Sequence, residues 1–153
     1  RGHVPDDELR GAVESVLRAH AIWEDGAVNW PPGPDDHKLR VQWCHGAPGI
    51  VATLGDLMPE DLLLAGAEMT WRTGPLDKGP GLCHGTAGNG YALLKTYALT
   101  GDQMWLERAR SFAMHAFEQR QGRYTLFTGD IGAALFAQAC LDEDARFPIM
   151  DVV

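Results

Sequence analysis

Apolar residues recur along this chain at spacings of three and four, the period of an amphipathic helix. Leu9, Val13, Val16, Leu17 and His20 form one such face in a segment from Asp6 to Trp23, and Asp6 or Asp7, after Pro5, is suited to cap it. Pro59 opens a second helix that runs to Trp71, since proline is tolerated in a first turn, where its missing N–H is not needed. A third, Gly88 to Leu99, carries Tyr91, Leu94, Lys95 and Ala98 and stops before Gly101. A fourth, Asp102 to Gln119, places Trp105, Ala109, Phe112, Ala113, Ala116 and Phe117 on a broad apolar face. The last, Ile131 to Leu141, is almost wholly apolar, with Ala133, Ala134, Leu135, Phe136 and Ala137 in succession. No stretch alternates in the manner of a strand, and Arg40 to Gln42 is too short to weigh.

The helices are punctuated by glycine turns in a common register. Trp43-Cys44-His45-Gly46-x-x-Gly49 is followed 39 residues later by Leu82-Cys83-His84-Gly85-x-x-Gly88, and 44 residues after that by Leu126-Phe127-Thr128-Gly129-x-x-Gly132. A period near 40 with a shared turn describes a helical repeat array. Helices that follow a turn read as short and apolar, an inner layer. Those between read as longer and amphipathic, an outer layer. The expected fold class is therefore all-α, a double-layered α/α barrel. The linker Glu24 to Leu39, with Pro31, Pro32, Gly33, Pro34, Asp35 and Asp36, reads as a surface loop, and its Trp30 is expected over the pocket mouth or, more simply, against the outer layer.

Composition narrows the function. The formal charge is -8 over 153 residues, with no basic run, so nucleic acid is not expected as a partner. No apolar run approaches the roughly 18 residues of a membrane span, and no secretory signal segment is read. Three cysteines, two of them in the turns, suit metal or thiol chemistry in a reducing compartment better than a disulfide framework; the expected localisation is cytoplasmic. The first residue is Arg1 rather than Met, which leaves a fragment, a processed product or a missing start open.

Cys44, Cys83 and His84 offer two thiolate sulfurs and one imidazole nitrogen, ligands that zinc accepts in tetrahedral geometry. Three protein ligands and one open position is the catalytic arrangement. If His45 also binds, Cys44, His45, Cys83 and His84 make a closed structural site; a third arrangement has no metal, with buried cysteines and satisfied histidines. An open zinc site either activates water or holds a substrate thiol as thiolate, and two protein thiolates on the metal favour the second. Lys78, in the glycine-rich approach to Cys83, and Arg123, before the third turn, are placed to pair with a substrate carboxylate or to remain surface charges. His20 and His115 read as packing or surface residues and Cys140 as core. Asp130 reads as a helix-start cap or a pocket residue.

The segments 43–49 and 81–89 resemble the zinc motifs of the lanthionine synthetase C-like family, in particular its stand-alone, glutathione-binding members. Leu126 to Gly132 and the tail Ala145-Arg146-Phe147-Pro148 are similar to that subgroup's last repeat and C-terminus. The resemblance implies an α/α toroid of seven inner and seven outer helices, of which residues 1–153 would be the C-terminal portion, about the last three repeats. It implies Zn²⁺ held by Cys44, Cys83 and His84, glutathione bound by Lys78 and Arg123, and no ligand role for His45. The implied chemistry is addition of a thiol, glutathione or a peptide cysteine, to a dehydroamino acid, forming a thioether. The acid/base histidine and aspartate would lie in the N-terminal half, in the same or another chain, and activity is expected only from the complete ring. Thr128 stands where the subgroup typically has a glutamate. Two alternatives stay open: a glutathione- and zinc-binding protein without turnover, and a glycan-acting α/α-barrel enzyme. The latter needs two carboxylates flanking the cleaved bond, whereas the acidic residues here sit mostly in linkers and outer helices.

Overall fold

The computed structural model describes residues 6–33 and 39–150. Pro5, the side chain of Asp6, and Pro34, Asp35 and Asp36 of the linker lie outside the described residues. The fold is all-α apart from one small hairpin. In chain order the elements are α1 (Asp6–His20), β1 (Ile22–Glu24), β2 (Ala27–Asn29), α2 (Ala47–Leu54), α3 (Glu60–Thr73), α4 (Thr86–Thr100), α5 (Gln103–Glu118) and α6 (Asp130–Asp142), with a short 3-10 turn at Gly55–Leu57 after α2.

The hairpin corrects the sequence reading. The first helix ends at His20 instead of continuing to Trp23, and β1 pairs antiparallel with β2, Trp23 opposite Val28. Asp25 and Gly26 link them with φ of 48° and 80°, the left-handed pair that a two-residue hairpin turn requires and that Asp-Gly favours. Three-residue strands are too short to display alternation. β2 is also buried along its whole length, because it packs against α3. The linker is thus no surface loop at its start. Ala27 and Val28 are fully buried, and the Trp30 indole is buried with its N–H donating to the Leu17 carbonyl at 2.8 Å. Trp30 packs against Gly66 of α3 in the outer layer and also faces the cleft beside Cys44, so both of its expected placements are met.

The other helices fall close to their predicted spans. Pro59 sits at the N-cap of α3. Gly101 ends α4 in the left-handed conformation, where glycine carries no Cβ penalty, and the Asp102 side chain caps α5 by accepting from Met104 N at 2.9 Å. In α5, Trp105, Ala109, Phe112, Ala113 and Ala116 are buried as predicted, but Phe117 is exposed. In α1 only Leu17 is fully buried; Leu9 and Val16 face outward. Because α1 already starts at Asp6, Asp7 lies inside its first turn and is no N-cap.

Two layers result. The helices that follow the glycine turns, α2, α4 and α6, pack against one another in that order, and α3 and α5 pack across them. Length does not distinguish the layers as expected: α2 has 8 residues, but α4 has 15 against 14 for α3. Burial does. Residues Thr86 to Leu94 of α4 are all buried, since α4 has inner neighbours on both sides and outer helices behind it. Arg108 ties the outer layer together. It pairs with Glu68 at 2.7 Å, and its guanidinium lies 4.8 Å from the Trp71 ring centre and 4.6 Å from that of Trp105.

The tail returns to the inner layer. Phe147 stacks flat on Trp43 at 4.5 Å and meets Tyr91 edge-on at 4.9 Å; Tyr91 in turn touches Phe136. A buried phenylalanine contributes about 1.5–3 kcal/mol, so Phe147 pins the C-terminal segment to the residue preceding Cys44. Beyond α6 the apolar surface continues: Ile131, Leu135 and Leu141, with Met114 and Phe117 of α5, are exposed.

Candidate metal centre

The glycine turns become a physical stack. Cys44 N–H donates to the Cys83 carbonyl at 3.0 Å, and Cys83 N–H donates to the Phe127 carbonyl at 2.8 Å. Cys44, Cys83 and Phe127 occupy the same position in the three turns, so one ladder of backbone bonds holds equivalent residues in register. The glycines permit the close approach. A Cβ at Gly46, Gly85 or Gly129 would meet the carbonyl oxygen six residues earlier, and so would one at Gly49, Gly88 or Gly132. At Gly46 the backbone also has φ 110°, a conformation that favours glycine.

The first turn is braced from the hairpin. Asn29 is buried; its Nδ2 donates to the Arg40 carbonyl at 3.1 Å and its Oδ1 accepts from Ala47 N at 2.7 Å. It therefore caps α2 from outside the helix, where Gly46 has no side chain to do so. Asn89 of α4 donates to the Val41 carbonyl at 3.0 Å, fixing the segment that enters the turn. We expect Asn29→Ala to cost about 2–4 kcal/mol, because two buried backbone groups lose their partner; a lower denaturant midpoint with an unchanged slope is the check.

The stack brings the predicted ligands together. The ligand atoms of Cys44, Cys83 and His84 all lie within 4.8 Å of one another, and each residue is half-buried. Tetrahedral zinc with bonds of 2.0–2.3 Å spaces its ligands by roughly 3.5–3.8 Å; the donor set fits the ion in number and kind, and its atoms, none more than 4.8 Å from another, are close enough for one ion to gather. Electrostatics point the same way. Burial, and then the neighbouring Cys44 sulfur, push the Cys83 thiol up from its ordinary value. Two thiolates side by side need a cation to hold them ionised.

His45 has a different place. Its Nδ1 lies 3.2 Å from Cys44 Sγ and 3.4 Å from Gln42 Nε2, and it is not part of the three-residue cluster. The sequence reading does not single out Gln42, yet its side chain touches Cys44, His45 and Lys78. Its Nε2 donates to Cys44 Sγ at 3.2 Å, and its Oε1 accepts from Lys78 Nζ at 2.8 Å. Lys78 thus reaches the cluster through one amide. Its loop is held at Leu76 by Thr86 and by Gln119, whose Nε2 donates to the Leu76 carbonyl at 2.7 Å.

Arg123 enters the third turn through its backbone: its carbonyl accepts from Asp130 N at 2.7 Å, and its side chain is exposed. Asp130 stands in the first turn of α6, with Gly129 at the N-cap. Its carboxylate accepts from the N–H groups of Gln121, Gly122 and Arg123, which close the preceding loop and keep its pKa below the usual carboxylate range. Cys140 is core; burial pushes its thiol up to about 12. His20 and His115 are on the surface. Beside Cys44 and His45 opens a cleft of about 540 Å³ walled by Trp30, Pro31, Trp43, Ile50 and Met150. No described helix is long and apolar enough to cross a membrane.

A family model described as lanthionine synthetase C-like protein matches residues 2–152. The chain belongs to the lanthionine synthetase C-like family. Among curated relatives it is similar to a zebrafish (Danio rerio) protein named glutathione S-transferase LANCL1, 37% identical over 134 residues that cover 77% of this chain and 33% of the relative. It is also similar to the LanC-like protein GCL1 of Arabidopsis thaliana, 34% identical over 128 residues, 71% of this chain and 29% of the relative. The chain therefore spans about a third of the length of these family members.

Proposed function

We propose that this chain is the metal-bearing part of an enzyme that adds a thiol, glutathione or a peptide cysteine, to a dehydroamino acid residue and so forms a thioether. One observation carries the reading: two sulfurs and one imidazole from neighbouring inner-helix turns converge within 4.8 Å. A relative named as a glutathione S-transferase supports the choice of thiol. Zn²⁺ bound there would lower the pKa of an incoming thiol, so that it attacks as thiolate near neutral pH.

The chain's own residues do the rest of the binding. Cys44, Cys83 and His84 supply three ligands, leaving a fourth position to the substrate. Lys78, at the rim, pairs with a glutathione carboxylate, and Arg123 offers a second cation from the third turn. The cleft walled by Trp30, Trp43 and Ile50 lies alongside Cys44 and receives the peptide that bears the acceptor. The new C–S bond forms at the acceptor's β-carbon, the double-bond electrons move to the α-carbon, and that carbon takes up a proton from an acid/base group. Such a group belongs to the other repeats of a complete ring. Ring completion would also cover the apolar edge left by Ile131, Leu135 and Leu141.

The test uses the native product that contains this chain. Zinc-loaded protein, glutathione and a dehydroalanine peptide should yield a peptide heavier by one glutathione in mass spectrometry. Glutathione binding with zinc retained but no adduct would leave a binding protein in place of an enzyme. Lys78→Ala should weaken glutathione by roughly tenfold to a hundredfold, the worth of one hydrogen bond to a charged group, in titration calorimetry with zinc still bound.

A further inference from the structure

Gln42 is buried, 8% exposed, in a turn whose other members are more open. Its backbone pairs with His45 in both directions, N to O at 3.0 Å and O to N at 2.9 Å, so Trp43 and Cys44 form the tip of a closed turn. The two ends of its amide are chemically different. Oε1 faces the Lys78 ammonium at 2.8 Å. Turning the amide over would set an NH₂ against an NH₃⁺, donor against donor. Lysine therefore determines which way the amide points. Nε2 is left donating to Cys44 Sγ at 3.2 Å, with His45 Nδ1 3.4 Å from the amide nitrogen and 3.2 Å from the same sulfur.

His45 Nδ1 lies against the Cys44 sulfur and the Gln42 amide, and His45 is not among the three clustered ligand residues, although its neighbour Cys44 is. And only one of the two cluster sulfurs has an amide donor from Gln42. A hydrogen bond to a ligating sulfur orients it and draws charge from it. We propose that Gln42 is a positioning residue, holding the Cys44 sulfur for metal ligation and coupling it to whatever anion occupies Lys78.

The proposal rests on the reading that Cys44, Cys83 and His84 hold a metal ion, and its test separates the two. In the native product containing this chain, Gln42→Leu removes both ends of the amide at similar volume. Gln42→Glu keeps the acceptor for Lys78, loses the N–H donors and sets a carboxylate beside the sulfur. Competition with a chromophoric chelator should show zinc held roughly tenfold to a hundredfold more weakly in the leucine variant, and at least as weakly in the glutamate variant. With Co²⁺ in place of zinc, the sulfur-to-cobalt charge-transfer band should move to longer wavelength in both. S-methylglutathione, which carries the carboxylates without a free thiol, should shift that band in the wild type and not in Gln42→Leu. Thermal melts monitor the fold; if the leucine variant does not fold, the isosteric glutamate variant decides. A wild-type protein that takes up no zinc overturns the metal reading and this inference with it. Wild-type zinc affinity and an unmoved cobalt band in the variants overturn the role of Gln42 alone. A wild-type band indifferent to S-methylglutathione overturns the coupling to Lys78.

Discussion

Replacing Cys83 with alanine should empty the metal centre. Zinc measured by plasma mass spectrometry is expected to fall from about one ion per chain to near zero after dialysis, because a three-ligand site loses one of its two anionic sulfurs. The substitution is clean for a structural reason. Cys83 joins the turn stack through its backbone, N–H to Phe127 O at 2.8 Å and carbonyl to Cys44 N at 3.0 Å, and alanine keeps both bonds. Burial and the Cys44 sulfur keep the Cys83 thiol protonated without metal, so the substitution removes no charge from the apo fold. Circular dichroism and the melting temperature should stay close to those of the metal-free wild type. Zinc content equal to wild type in Cys83→Ala would remove this residue from the centre, and the proposed thiol chemistry would go with it.

Gly88→Ala should act on the fold itself. Its Cβ would land on the Leu82 carbonyl oxygen, with Trp43 Cβ 3.0 Å away. The first obstacle is backbone, which a rotamer change does not relieve, so the expected cost is about 3 kcal/mol or more, at or above the upper end of ordinary overpacking. The two turns that carry Cys44, Cys83 and His84 would be forced apart, and zinc affinity should fall together with the denaturation midpoint. Gly11→Ala is the contrast. Gly11 lies within α1, and a Cβ there meets nothing within 4 Å; the substitution should stabilise by up to about 1 kcal/mol through helix propensity and lost chain entropy. A Gly88→Ala protein as stable as wild type would mean that the turns do not approach as closely as the carbonyl contact requires.

Much of this molecule was legible beforehand. Helical periodicity located α4 and α5 because each buries a face several turns long, so the pattern repeats often enough to be read; Pro59 marked the start of α3, and an apolar run marked α6. The cysteine-histidine-glycine turns were legible because their register recurs. Near-equal spacing in a repeat array brings equivalent residues side by side, and the Cys44–Cys83–Phe127 ladder is that register made physical. The hairpin was less legible. Asp25-Gly26 carried its turn signal, but Ile22 and Trp23 also continued the spacing of the preceding helix, and a strand buried on both faces shows no alternation. Inner and outer helices differ by how many sides are covered, which length did not report.

The local code of residues and their spacing determined by itself that this chain is helical, that it repeats, and that Cys44, Cys83 and His84 belong together. Those features depend on neighbours in sequence or on an even period. The tertiary structure alone decided the surroundings. Asn29 braces a turn from 18 residues upstream, Gln42 joins Lys78 across 36 residues to a sulfur two positions away, and Phe147 stacks on Trp43 from the far end of the chain. No period relates such residues. Their hydrogen bonds and ring contacts exist only where the packed layers bring unrelated segments to one place.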